Sequence, residues 1–358
     1  MQHHPDSPKP CLPVRVLALR DKDYESLSRS ASGGAFAVLA RAMLARGGAV
    51  FGAELCEDNI VRITCVEDVS ELWRLQGSKY VQCSPNGSFD HCRELLESGR
   101  DVLFSGTPCL VYALKSYLAR KGLRACSGKL VTVDLVCHGV TSPELFRLYV
   151  AWLESKLKAV PGSLRYTFRS KNRPWGLYYY YYYYYYYTSA IDLKRKEAIG
   201  PYSDDPYYRA FLSGKYYRKS CYSCRFAQPE RVGDITIGDY WGIEKAHPDF
   251  YDARGVSLAM LNTPVGLRYF EEECADGCTW VESDLERASA ENVNLLHPSR
   301  RAPEDEAAAA ELYRAVASGD SDLIFGKFLR QRGIKGLLKD CLPHDWIECV
   351  RTLKNRFK

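Results

Sequence analysis

The sequence predicts an α/β fold: a mixed sheet with parallel βαβ units in the N-terminal half, an aromatic-rich β region after it, and helices at the C-terminal end. Three observations carry this. Two short apolar runs, Val102–Phe104 and Leu130–Val136, each end in a polar turn and pass into a helical pattern. Strands that alternate with helices in this way are parallel and joined by right-handed crossovers. Beyond Val160 the texture changes to turns and aromatics, with ten consecutive tyrosines from Tyr178 to Tyr187, and from Pro303 onward it becomes helical and finally basic.

Ser28–Leu44 reads as a helix, opened by Ser30-Ala31-Ser32-Gly33-Gly34 and closed by Gly47-Gly48. Ala49–Leu55 and Ile60–Val66 are β-rich; Glu67–Leu75 is helix-like; Gly77-Ser78-Lys79-Tyr80 is a polar turn; Asp90–Gly99 is an amphipathic helix. The first apolar run ends in Gly106-Thr107-Pro108-Cys109 and feeds a helix to about Arg120; the second ends in Cys137-His138-Gly139-Val140 and feeds, through Ser142-Pro143, a helix to about Leu157. Ten identical side chains give a strand no means of fixing its register. The tyrosine run is therefore expected to be an exposed or irregular β segment. Ile235–Ile237 and Ser257–Leu261 read as strands and Pro264–Cys274 as helix. These changes of texture divide the chain into residues 14–160, an α/β half; 161–300, a β-rich half; and 301–358, a helical basic tail.

With 358 residues and 46% hydrophobic content the chain can bury one large core or two smaller ones. A formal charge of +5, scattered along the chain, argues against a nucleic-acid partner. No stretch approaches the ~20 apolar residues of a membrane span, and Met1–Pro13 lacks the apolar core of a signal peptide. A cytoplasmic protein is expected. In that compartment the 14 cysteines do not form a disulfide framework. Cys56, Cys65, Cys83 and Cys92 read as small buried residues, and Cys274, Cys278, Cys341 and Cys349 as structural.

Four cysteines read differently. Cys221-Tyr222-Ser223-Cys224 lets two sulfurs converge on one metal, and soft thiolates select iron–sulfur clusters, zinc or cuprous copper. Cys109 and Cys137 both fall at the carboxyl ends of parallel strands, the edge where α/β sheets place their ligands. Cys109 also opens a helix, whose positive end favours thiolate. Four thiols for one site follow. A weaker constellation is Ser32-Gly33-Gly34 at a helix start, a candidate phosphate cradle, with Lys79 as a cation and His138 as a donor.

At these residues the chain resembles the deazaflavin (coenzyme F-420) hydrogenase/dehydrogenase beta-subunit family. The match runs in order through Ser32-Gly33-Gly34, Gly77-Ser78-Lys79-Tyr80, Gly106-Thr107-Pro108-Cys109, Asp134–Val140, Cys221–Phe226 and Gly233–Asp239. The resemblance implies an FAD-containing, iron–sulfur electron-transfer oxidoreductase that passes electrons between a 4Fe-4S cluster, FAD and an organic two-electron acceptor such as a deazaflavin. It places the cluster on Cys109, Cys137, Cys221 and Cys224, and flavin contacts on Ser32, Gly33, Gly34, Ser78, Lys79 and Tyr80; His138, read from the residues themselves, joins them as a cofactor-binding candidate. Many relatives carry an N-terminal two-cluster ferredoxin segment, but here Cys11 is the only cysteine before Cys56. The expected partners are therefore a separate ferredoxin-like or other electron-donor protein and a small-molecule acceptor. Leu110 stands where relatives often have Gln. The same four thiolates would equally suit a zinc-stabilised, non-redox scaffold or binding module of the same fold.

Overall fold

A computed structural model describes residues 9–123, 128–187 and 192–330. Eleven strands form two sheets among them. In chain order the strands are β1 (Arg15–Asp21), β2 (Ala49–Leu55), β3 (Val61–Val66), β4 (Val102–Gly106), β5 (Leu130–Leu135), β6 (Arg165–Thr167), β7 (Tyr178–Tyr186), β8 (Leu193–Pro201), β9 (Ile235–Asp239), β10 (Ser257–Leu261) and β11 (Cys278–Ser283). The α-helices of four or more residues are α1 (Tyr24–Arg29), α2 (Ala35–Ala45), α3 (Ser88–Glu97), α4 (Pro108–Arg120), α5 (Pro143–Leu157), α6 (Pro206–Leu212), α7 (Ile243–Ala246), α8 (Pro264–Tyr269), α9 (Leu285–Ser289) and α10 (Pro303–Ser318).

The large sheet has the order β11-β1-β10-β9-β5-β4-β2-β3. Its centre, β2, β4, β5 and β9, is parallel, and antiparallel strands extend it on both sides. The expected mixed α/β fold is what forms. Every residue of β4 and of β10 is buried, as expected of strands covered on both faces. Leu17, Val50, Leu103 and Ile235 meet α2 through Ala35, Leu39 and Met43. On the other face Phe51, Val102 and Phe104 meet Cys92 and Leu96 of α3 and Val111 and Leu114 of α4. The sheet draws strands from both the 14–160 and the 161–300 segments: β9 inserts between β5 and β10.

The second sheet, β6-β7-β8, is an antiparallel meander, and its middle strand is the tyrosine run. The expectation of an exposed or irregular segment is corrected here. Tyr179, Tyr181 and Tyr183 are buried against α5, α6 and α10, while Tyr184 and Tyr186 face solvent. Register comes from the neighbours rather than from the repeated residue. Tyr166 on β6 lies parallel to the rings of Tyr179 and Tyr181, and its hydroxyl donates to buried Asp205 at 2.9 Å. That carboxylate also accepts from Tyr149 of α5 and caps α6 through the Tyr208 amide at 2.7 Å.

The helix expected over Ser28–Leu44 is two helices. Ser30–Gly34 interrupts it, with Gly34 at φ 86°, in the left-handed region that glycine tolerates. The basic end, Arg351–Lys358, lies outside the described residues, as do Cys341 and Cys349. No helix among the described residues is long and apolar enough to cross a membrane.

Candidate metal centre

Strand β4 delivers Cys109 through the turn Gly106-Thr107 to the first turn of α4, where Pro108 supplies a pre-set φ and needs no donor. The Thr107 hydroxyl lies 3.2 Å from the Cys109 sulfur. Neighbouring β5 delivers Cys137 two residues past its end. Gly139 then lets the chain pass under Tyr217: a Cβ there would meet the ring at 2.4 Å, and φ is 134°. Because β4 and β5 are parallel and adjacent, both cysteines emerge at the same sheet edge.

The Cys221–Cys224 loop is brought to this edge by three ties. The Arg218 amide donates to Val140 O at 2.9 Å. Tyr222, between the two cysteines, accepts from the Tyr217 amide at 2.9 Å and donates to Gly214 O at 2.7 Å. Arg231 is the third tie. Its guanidinium donates to Thr236 Oγ1, to the carbonyls of Phe226, Gln228 and Leu135, and to Asp134 Oδ1 at 3.0 Å. It thereby joins the end of the cysteine loop to the strand that carries Cys137.

All four predicted thiols line one cavity of about 490 Å³, together with His138, Arg218, Arg225 and Arg231. No aspartate or glutamate among the described residues lines it. Burial pushes the Cys137 thiol up to about 12, a Gly139 amide hydrogen bond opposes this, and the neighbouring sulfurs of Cys109, Cys221 and Cys224 add to it. Burial, then Cys224 and Cys109, raise Cys221 as well, against the Val140 amide and the Arg218 charge. Four mutually repelling sulfurs become thiolates together only around a cation.

The residues expected around a flavin divide into two groups. Tyr80 and His138 gather about a buried ion pair, Arg169–Asp239, 2.6 Å apart. Arg169 donates to Tyr80 Oη at 3.2 Å and to Ala31 O at 3.1 Å. Asp239 accepts from the Trp175 indole, and its charge reaches His138. His138 is solvent-exposed at the mouth, and surrounding protein that displaces water holds its imidazole below the usual range. The second group is spoken for. A Cβ on Gly33 would meet Leu19 O and Ser257 N at 2.4 Å, so the glycine makes room for the protein's own backbone. Gly34 packs on Asp21, and the Ser32 hydroxyl donates to Val256 O at 2.7 Å. Lys79 donates to Gln76 O at 2.8 Å and Arg74 O at 3.3 Å; burial draws its ammonium down to about 7. Ser78 is half-buried in the turn.

A model of the C terminus of the coenzyme F420 hydrogenase/dehydrogenase beta subunit matches residues 99–285. That is more than half of the chain and contains all four cysteines. The chain belongs to this family. It is thus related to oxidoreductase subunits, as the resemblance implied. A chain in a solved structure of the F420-reducing NiFe hydrogenase complex from Methanosarcina barkeri is 19% identical, with 94% of this chain and 97% of that chain covered and a TM-score of 0.49. A likeness of that size bears on neither mechanism nor partners. No curated protein matches the chain.

Arg169 and Arg231 were not singled out from the sequence. Each is one arginine among many, and its carboxylate partner lies 70 or 97 positions away. The only signal was indirect: the aspartates sit inside the strand motifs Asp134-Leu135-Val136 and Gly238-Asp239.

Proposed function

We propose that this chain is an iron–sulfur oxidoreductase subunit whose 4Fe-4S cluster is held by Cys109, Cys137, Cys221 and Cys224. The observation that carries the reading is the convergence of four thiols from three separate segments on one cavity of about 490 Å³ that no carboxylate among the described residues lines. Four cysteine thiolates are the donor set of a 4Fe-4S cluster, which supplies one-electron transfer when bound. The chain's own residues do the rest. Arg231, Tyr222 and the Arg218 amide fix the cysteine loop. Arg218 and Arg225 offset the negative charge that four thiolates bring.

The FAD implied by the family resemblance belongs to the same proposal, with His138, at the cavity mouth, as the residue that still offers a group toward a ring; the Tyr80 hydroxyl is taken by Arg169 and its ring stacks on Phe211. The Ser32-Gly33-Gly34 turn and Lys79 do not fit a diphosphate as they stand, because their polar groups and space are taken by the protein. The electron donor is proposed to be a protein with an acidic face. Arg218, Lys219 and Arg225 are exposed around the cysteine pair and none pairs with a carboxylate among the described residues.

Anaerobic purification with iron, sulfide, zinc and flavin quantified on one sample tests the reading. About four irons and four sulfides per chain support it. Zinc in a colourless protein favours the scaffold instead.

A further inference from the structure

By sequence Cys65 reads as a small buried residue. The structure places its sulfur only half-buried, beside the exposed side chains of Glu67 and His91. One ligand atom from each lies within 4.8 Å of the others, and no other set of three such groups among the described residues converges so closely. The three come from different places: Cys65 from β3, Glu67 just past its end, His91 from α3.

Each is oriented by its surroundings. The His91 ring stands edge-on to Phe51, 5.3 Å between centroids at 77°. Phe51 is itself buried against Phe104 and sits directly across the β2–β3 ladder from Cys65. Glu67 Oε2 accepts from Arg100 Nη1 at 2.5 Å, and Arg100 is anchored in turn on Gly47 O at 3.2 Å. That leaves the other carboxylate oxygen for the group, while the arginine holds the carboxylate in place as an outer-sphere partner does in metal sites.

We propose that Cys65, Glu67 and His91 bind a single divalent transition-metal ion of the zinc class, with a fourth position open to water. One thiolate, one imidazole and one carboxylate form a borderline-soft donor set, which suits zinc and disfavours the all-oxygen cations calcium and magnesium. Three protein ligands at a solvent-facing site leave room for an exchangeable water. With metal–ligand bonds of ~2.0–2.3 Å, the observed spread is about two bonds laid end to end, and small side-chain rotations close it to a tetrahedron. None of the three lines the four-thiol cavity, so one chain carries two donor sets of different chemistry.

The experiment adds a slight excess of zinc to the anaerobically purified protein, removes unbound metal, and measures zinc and iron content together with the zinc K-edge spectrum. One retained zinc per chain with a single sulfur and a nitrogen/oxygen shell is expected. Cys65→Ser and His91→Ala should each lose that zinc while keeping iron, and Cys221→Ser should keep it. Added zinc should also raise the unfolding temperature of the parent protein and not of the first two variants. No retained zinc, a four-sulfur shell abolished by Cys221→Ser, or a zinc indifferent to Cys65→Ser and His91→Ala would each overturn the site. The loss of zinc in Cys65→Ser and His91→Ala separates this site from the cavity: a cavity that held zinc would add a second, four-sulfur zinc that only Cys221→Ser removes.

Discussion

Arg231 and Asp134 form an ion pair 3.0 Å apart, with both side chains at or below 1% exposure. The remaining lone pairs of Asp134 accept from the amides of Val232 and Gly233 and from Thr236 Oγ1, so the pair is fully hydrogen-bonded as well as buried. Such a pair adds little over an apolar replacement of both partners, but removing one leaves an uncompensated charge. Arg231→Met is therefore expected to cost about 3–5 kcal/mol in denaturant unfolding. Iron content should fall with it, because the cysteine loop loses its tie to the strand of Cys137. A loss below about 1 kcal/mol would mean that the arginine is not the tether.

Among the cysteines, Cys221→Ser should strip the visible absorbance and most of the iron. Cys278→Ser should leave both intact, since that sulfur is buried with the carbonyls of Cys274 and Ala275 at 3.7 and 3.6 Å. Iron and sulfide assays on the two variants decide the ligand set: equal loss from both refutes it.

Acid should loosen the second buried pair. Nearby Arg169, opposing the effect of burial, holds the Asp239 carboxyl below the usual aspartate range. A depressed folded pKa contributes stability that is complete above the unfolded value of about 3.9 and is lost as pH falls through the folded value. Unfolding temperature measured from neutral pH downward should drop through that window in the parent protein. Asp239→Asn should start lower and lose less over the same range.

Electron delivery from an acidic protein donor should depend on ionic strength. Arg218→Glu with Lys219→Glu would reverse the charge beside the cysteine pair, and stopped-flow reduction should slow by roughly tenfold or more at low salt and converge with the parent rate at high salt. Rates insensitive to both salt and charge reversal would place the donor elsewhere.

Two faces of one tyrosine strand should respond unequally. Tyr181→Ala removes a buried ring and is expected to cost about 3–5 kcal/mol. Tyr184, 39% exposed, should tolerate the same change within about 0.5 kcal/mol. Equal costs would mean that the strand is not held in the register of β6 and β8.

The thiol site was legible because its logic is local. A strand, a turn and a helix put Cys109 and Cys137 at a predictable edge, and C-x-x-C needs only a loop to reach them. The mixed sheet was legible in its parallel centre for the same reason. β1 was not, since its apolar run is short and its partners, β10 and β11, lie more than two hundred residues on. Arg169 and Arg231 take their roles from contacts across the fold that no periodicity encodes. The tyrosine strand misled in the opposite way: its own sequence holds no register information, and the structure supplies it through Tyr166 and Asp205.

The seat of β9 between β5 and β10 sets a timetable for biosynthesis. During translation Cys109 and Cys137 leave the ribosome long before Ile235–Asp239, yet the strand that completes their sheet edge belongs to that later segment. Until it arrives, β5 presents a bare apolar edge that invites wrong pairings. Nor can the cysteine loop dock, because Arg231 and its anchors Asp134 and Thr236 meet only when β9 is in place. On the proposed reading, metal delivery to the four thiols follows release of most of the chain, because a nascent fragment that stops short of β9 lacks the docked loop that would receive it.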